Sequence, residues 1–110
     1  MEERQALSAF AALSQETRLR ILRLLVVAGP EGMAAGTIAE QAGVAASNVS
    51  FHTKELERAG LVASRRESRS ILYSVEFEAL NGLVRFLMED CCAGQLNGCS
   101  ATVVDSCRVG

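Results

Sequence analysis

The sequence predicts a mainly α fold with one β-hairpin, and three observations support that reading. Apolar residues recur at helical spacing in four segments before residue 60 and again from Phe77. Between them, Leu61 to Val75 alternates as strands do and turns at a polar Glu67-Ser68-Arg69. Gly29-Pro30, Gly43 and Gly60 stand where those patterns change.

The chain has 110 residues, enough for one domain. At 49% hydrophobic residues it is too apolar for a disordered polymer. Small helical units of this size often complete their core by dimerising. The opening Met-Glu-Glu-Arg lacks the basic start and apolar centre of an export signal. No apolar run approaches the ~18–20 residues that span a bilayer. The expectation is a cytoplasmic protein with no membrane partner.

The first helix covers residues 3–13, with Leu7, Phe10 and Ala11 forming a stripe expected to pack. Ser14 is the expected cap of a second helix in which Ile21, Leu24, Leu25 and Ala28 share one face and Glu16, Arg20 and Arg23 the other. Gly29-Pro30 ends it. A third helix, Ala35 to Ala42, presents Ile38 and Ala39 and stops at Gly43. After Val44-Ala45-Ala46 a fourth runs to Ala59. Two helices joined by a tight glycine-led turn form a helix-turn-helix, and the hairpin that follows, with Ile71, Tyr73 and Val75 on one face, makes it a winged one. The last helix runs from Phe77 to Ala93, with Phe77, Leu80, Leu83, Val84, Leu87 and Cys91 on one stripe before Gly94. Residues 1–94 are thus read as the winged domain for DNA binding and dimerisation, and 95–110 as a cysteine-containing C-terminal tail.

The net charge of −2 does not favour nucleic acid, but its distribution does. Ser47 to Tyr73 holds Lys54, Arg58, Arg65, Arg66 and Arg69 against Glu55, Glu57 and Glu67, while the stretch after Val75 is mainly acidic. At about 100° per residue, Val49, His52, Thr53, Leu56 and Ala59 of the fourth helix point inward, leaving Ser47, Ser50, Phe51, Lys54 and Arg58 outside. Hydroxyls and cations suit base edges and phosphates, and Phe51 suits a thymine methyl. A solvated amphipathic face, with Glu55 and Glu57 as counter-ions, is the plainer reading. The hairpin favours DNA, because Arg65, Arg66 and Arg69 cluster where a wing would meet phosphates or the minor groove. His52 is the single histidine; its inward position marks it as a structural residue with a hydrogen-bond partner rather than a metal ligand.

All four cysteines fall in the last twenty residues: Cys91, Cys92, Cys99 and Cys107. In a reducing compartment such a set points to a metal or redox site before structural disulfides. Cys91 and Cys92 diverge by about 100° on a helix, so they converge on one ion only near a frayed end. Gly94 and Gly98 let the chain return with Cys99 as a third thiolate. Three sulfurs select thiophilic ions. Trivalent arsenic suits them because each As–OH exchanges for As–S with loss of water, leaving a neutral pyramid that needs no fourth ligand. Zinc would want four, with Cys107 the possible additional thiol, and Cys-x-x-Cys spacing is missing. Cys91 as a small buried hydrophobe beside incidental thiols is the bland alternative. A disulfide such as Cys92 to Cys99, formed by oxidant or persulfide, is the other, although Glu89 and Asp90 raise rather than lower a neighbouring thiol pKa. No cysteine is followed by a phosphate-cradling loop and arginine, so an enzyme is not expected.

Two blocks, Ala12-Leu13-Ser14-Gln15-Glu16-Thr17-Arg18-Leu19-Arg20-Ile21-Leu22 and Ser47-Asn48-Val49-Ser50-Phe51-His52-Thr53-Lys54-Glu55-Leu56-Glu57-Arg58-Ala59-Gly60-Leu61-Val62, together with Tyr73-Ser74-Val75, resemble the ArsR/SmtB family of winged-helix metalloregulatory repressors. The resemblance covers about residues 5–90. It implies a homodimer formed by the first and last helices, bound to double-stranded operator DNA when empty and released when an ion binds. The chain has Glu16 where the family often has Pro, Ala45 where it has a Ser cap, Thr53 where it has Leu, and Ser68 where it has Gly. The family's cysteine pair on the third or fourth helix is absent, as are the zinc ligands of the last helix. Cys91, Cys92 and Cys99 instead resemble the arsenite-responsive branch, which implies no resident cofactor and arsenite or antimonite as inducer.

Overall fold

The computed structural model, which describes residues 1–89, has five α-helices and a small three-stranded antiparallel sheet that packs on the second to fourth helices. Helix α1 spans Glu3–Leu13. The Glu2 amide donates to Gln5 Oε1 at 3.0 Å and satisfies one of its free starting amides. Its buried face is Ala6, Ala9 and Ala12, whereas Leu7 is 62% and Phe10 38% exposed. The expected packing of Leu7, Phe10 and Ala11 is therefore reversed: alanines let α1 approach its neighbours closely, and the large side chains point outward.

Helix α2, Glu16–Ala28, buries Ile21, Leu22 and Leu25. Its cap is Gln15, whose side chain accepts from the Arg18 amide at 2.9 Å. Ser14, the expected cap, closes α1 instead, its hydroxyl donating to the Ala11 carbonyl at 2.8 Å. A 3-10 turn at Gly29–Glu31 follows. Strand β1, Met33–Ala34, is an element that the sequence reading lacks.

Helices α3, Ala35–Ala42, and α4, Ala46–Arg58, are joined through Gly43, whose φ of +72° is a left-handed conformation that glycine adopts without strain. Ile38, Val49 and Leu56 are fully buried with Ile21, Leu25 and Leu61 in one core. Burying each such side chain contributes roughly 1.5–3 kcal/mol. Thr53 is equally buried, and its hydroxyl donates to the Val49 carbonyl at 2.8 Å, so no polar group is orphaned there.

The wing consists of β2, Val62–Glu67, and β3, Ser70–Val75, paired from Val62–Val75 to Glu67–Ser70. Its turn holds Ser68 at φ +56°. Strand β1 pairs with β3 through Met33–Tyr73 and Ala34–Leu72, giving the order β1-β3-β2. Val62 and Val75 are buried at the base while Ile71 is exposed farther out, so the hairpin leaves the core as it lengthens.

Helix α5 spans Phe77–Met88. Leu83 is buried, Phe77, Leu80 and Phe86 pack against the core, and Leu87 is 60% exposed. The helix ends at Met88, where Glu89 turns extended at φ −55°, ψ 133°; residues 90–93 of the expected helix lie outside the described residues. An acidic residue beside the negative end of the helix dipole opposes a further turn. Cys91, the proposed end of the stripe, and the tail 95–110 lie outside the described residues.

Candidate nucleic-acid interface

The interface is built from α4 outward. Ala45 occupies the N-cap position with φ −68° and ψ 149°, and offers no side-chain oxygen to the first amides. Val49, Thr53 and Leu56 anchor the helix in the core. That anchoring leaves Ser47, Ser50, Phe51, Lys54 and Arg58 exposed on the opposite side, with Phe51 at 56%. A large aromatic that open, among hydroxyls and cations, has no role in the core of its own subunit.

The root of this face is held by a residue that the sequence reading did not select. Arg18 of α2 donates from Nε to His52 Nδ1 at 3.2 Å and from a terminal nitrogen to the Ala12 carbonyl at 3.4 Å. Its guanidinium also lies 6.0 Å from the centre of the Phe51 ring, at the outer reach of a cation–π contact. The His52 and Phe51 rings meet edge-on, 5.2 Å apart at 67°. His52 is thus half-buried with a defined partner, as its inward position predicts. Burial, then the Arg18 charge, hold its pKa below the ordinary histidine value, with Glu55 opposing them. Arg18 could be found in the sequence only as one member of the first family block; its partner lies 34 residues away.

The cations divide into engaged and open groups. Arg58 lies 3.4 Å from Glu55, an exposed pair of little energetic weight. Glu57 accepts from the Ser64 hydroxyl at 3.0 Å and so links α4 to β2. Lys54, Arg66 and Arg69 make no ion pair among the described residues. Arg65 differs: its fork reaches the Pro30 carbonyl at 3.2 Å, the Glu31 carbonyl at 2.8 Å and Glu67 at 3.0 Å. The structure brings α4 and the wing onto one molecule with an open basic set between them, and it directs Arg65 back toward the protein.

Cys91, Cys92, Cys99 and Cys107 lie outside the described residues. Among the described residues no three His, Cys, Asp or Glu side chains converge as a metal site. No helix among them is long and apolar enough to cross a membrane.

Residues 13–65 match the model of a family described as a helix-turn-helix domain. The chain is 35% identical over 88 residues to the HTH-type transcriptional regulator YgaV of Escherichia coli, covering 80% of this chain and 87% of that one. It is 43% identical over 61 residues to the HTH-type transcriptional regulator YceK of Bacillus subtilis, a match to 56% of this chain that spans 60% of that relative's length. Among solved structures, an ArsR-like transcriptional regulator from Rhodococcus sp. RHA1 superposes with a TM-score of 0.67 at 35% identity, over 76% of each chain. The homodimeric winged helix-turn-helix DNA-binding domain of Mb0332 from Mycobacterium bovis superposes at 0.64 with 26% identity, over 80% of this chain and 82% of that one. With its order of helices, its wing and this extent of identity, the chain belongs to the ArsR-like family of helix-turn-helix transcriptional regulators.

Proposed function

We propose that this chain is a homodimeric repressor that binds operator DNA through α4 and the wing and is released by trivalent arsenic. The observation that carries the DNA half is the exposed face of Ser47, Ser50, Phe51, Lys54 and Arg58, flanked by a hairpin bearing Arg66 and Arg69. Two such faces one helical turn apart, ~34 Å, fit a two-fold operator. The dimer is supported by the apolar side chains on α1 and α5, Leu7, Phe10 and Leu87, which their own subunit leaves uncovered, and by the homodimeric state of a similar fold.

The inducer half rests on the chemistry of the cysteine set. Arsenous acid and three thiols yield a tris-thiolate arsenic and three waters, with no charge left to bury. Cys91, Cys92 and Cys99 are the ligands in this reading, with antimonite the closest substitute and Cys107 an optional fourth thiol. These thiols must be reduced to react, and a cytoplasmic protein suits that requirement. Because Cys91 follows α5 so closely, closing the site reseats that helix and turns the two wings out of register. A coupling of about 3 kcal/mol lowers operator affinity more than a hundredfold.

The test is fluorescence anisotropy of the reduced protein on its own promoter DNA, titrated separately with arsenite, zinc and a mild oxidant. Release by stoichiometric arsenite, abolished in Cys92→Ser, is expected. Release by oxidant alone would make the same cysteines a redox or persulfide switch, and unchanged arsenite release from Cys92→Ser would overturn the assigned site.

A further inference from the structure

Arg65 is a basic wing residue whose side chain is 42% exposed and whose guanidinium reaches back to the turn after α2. Its terminal nitrogens donate to the carbonyls of Pro30 and Glu31, and its Nε donates to Glu67 two residues along its own strand. Pro30 and Glu31 belong to the 3-10 turn that closes α2 and leads into β1. One planar group therefore ties the hairpin to the body of the protein through contacts 34 and 35 residues distant in sequence.

The position along the hairpin gives this tie its leverage. Below it, the wing is fixed by the buried Val62–Val75 pair and by the two β1 pairings, the outer of which involves Leu72. Arg65 stands opposite that same Leu72. Beyond it lie only the Arg66–Ile71 and Glu67–Ser70 pairs and the turn with Arg69. An open groove of about 560 Å³ runs beside it, lined by Gly32, Met33, Thr37 and Leu72, and Arg65 and Glu67 form part of its wall. The hairpin could swing into this space without the strap. Alternation along β2 sends Arg66 to the opposite face from Arg65.

We infer that Arg65 is a positioning residue, which sets the angle of the wing so that Arg66 and Arg69 reach DNA, and is not itself a phosphate contact. An ammonium cannot replace it, because a single point donor cannot span two carbonyls and a carboxylate as the guanidinium fork does. The inference rests on the operator-binding reading above for its consequence, but not for the strap itself.

Two measurements separate these. In the free protein, Arg65→Ala and Arg65→Lys are expected to accelerate amide hydrogen exchange in β2, β3 and the Gly29–Glu31 turn while leaving α4 protected. Unchanged exchange overturns the strap whether or not the protein binds DNA. On duplex DNA from its own promoter, a double-mutant cycle combines Arg65→Ala with the pair Arg66→Ala/Arg69→Ala. A positioning residue acts through the wing, so Arg65→Ala and Arg65→Lys each lower affinity about tenfold, and the loss disappears once Arg66 and Arg69 are gone. Additive losses, with Arg65→Lys retaining affinity and Arg65→Ala still lowering the salt slope by about 0.9 per subunit in the Arg66/Arg69 background, would identify a phosphate contact and overturn the inference. Failure of the wild-type protein to bind any DNA would instead overturn the operator reading, with the exchange measurement left to decide the strap.

Discussion

Arg18 Nε donates to His52 Nδ1 across 3.2 Å, so that the first turn of α2 and the middle of α4 share one hydrogen bond. The bond requires an unprotonated Nδ1, which fixes the neutral imidazole with its proton on Nε2. A protonated His52 has no acceptor to offer and sets a second cation beside the guanidinium. The helix carrying Phe51 and Lys54 is therefore seated by a residue that must stay neutral.

Its stability is expected to depend on pH with a definite sign. The folded pKa of His52 lies below the ordinary value, so in the window between them the unfolded chain binds more protons. The contribution is complete above about pH 6.5 and declines as the pH falls below it. Thermal unfolding at pH 7.5 and pH 5.5 measures this, with His52→Gln, which keeps an acceptor but does not titrate, flattening the difference. A difference of the same size in the variant would assign the pH dependence to other groups.

Gly32→Ala is expected to be severely destabilising. At φ +75° the new Cβ would lie 2.3 Å from the Tyr73 carbonyl oxygen and 2.9 Å from its carbon, both backbone atoms of the central strand. Such a contact cannot be relieved by turning a side chain, and a loss of about 3 kcal/mol is expected in urea unfolding. Gly29→Ala is the control: its φ of +79° is equally left-handed, but the added carbon meets nothing within 4 Å. That variant should lose only the conformational part, about 1–3 kcal/mol for a backbone at ψ −162°, and less than Gly32→Ala. Equal losses would show that the approach to Tyr73 costs nothing.

Ala45→Ser is expected to stabilise the protein. Ala45 already has the extended backbone of a cap, and its carbonyl accepts from the Asn48 and Val49 amides at 3.0 and 3.1 Å, but its methyl cannot serve an amide. A serine oxygen there should add about 1 kcal/mol, read as a higher urea midpoint at constant slope. No increase would mean that water satisfies the first amides of α4 as well as a hydroxyl can.

The elements that could be read from the residues are those whose pattern repeats. Ile38, Val49 and Leu56 fall at helical spacing around a glycine that alone suits the turn, and both helices appear within one residue of their expected bounds. Strand β1 offered no such signal, since two residues cannot display a period; it exists because β3 has a free side to pair with. In α1, side-chain size misled: Leu7 and Phe10 look like core, but close helix packing selects Ala6, Ala9 and Ala12. The outward face of α4 followed directly from angular spacing. The role of Arg65 did not, because its carbonyl partners carry no side-chain signature and lie on a distant turn.

The strand order β1-β3-β2 has a consequence for how molecules of this protein meet. It leaves β2 as an open edge, a row of amides and carbonyls that another strand could join. Arg65, Arg66 and Glu67 occupy the outer half of that edge, and charged side chains there make a second strand costly to add. The wing's polarity thus protects the chain from edge-to-edge aggregation. The leucines and phenylalanine left exposed on α1 and α5 lie on helices, away from that edge, where association needs no added strand.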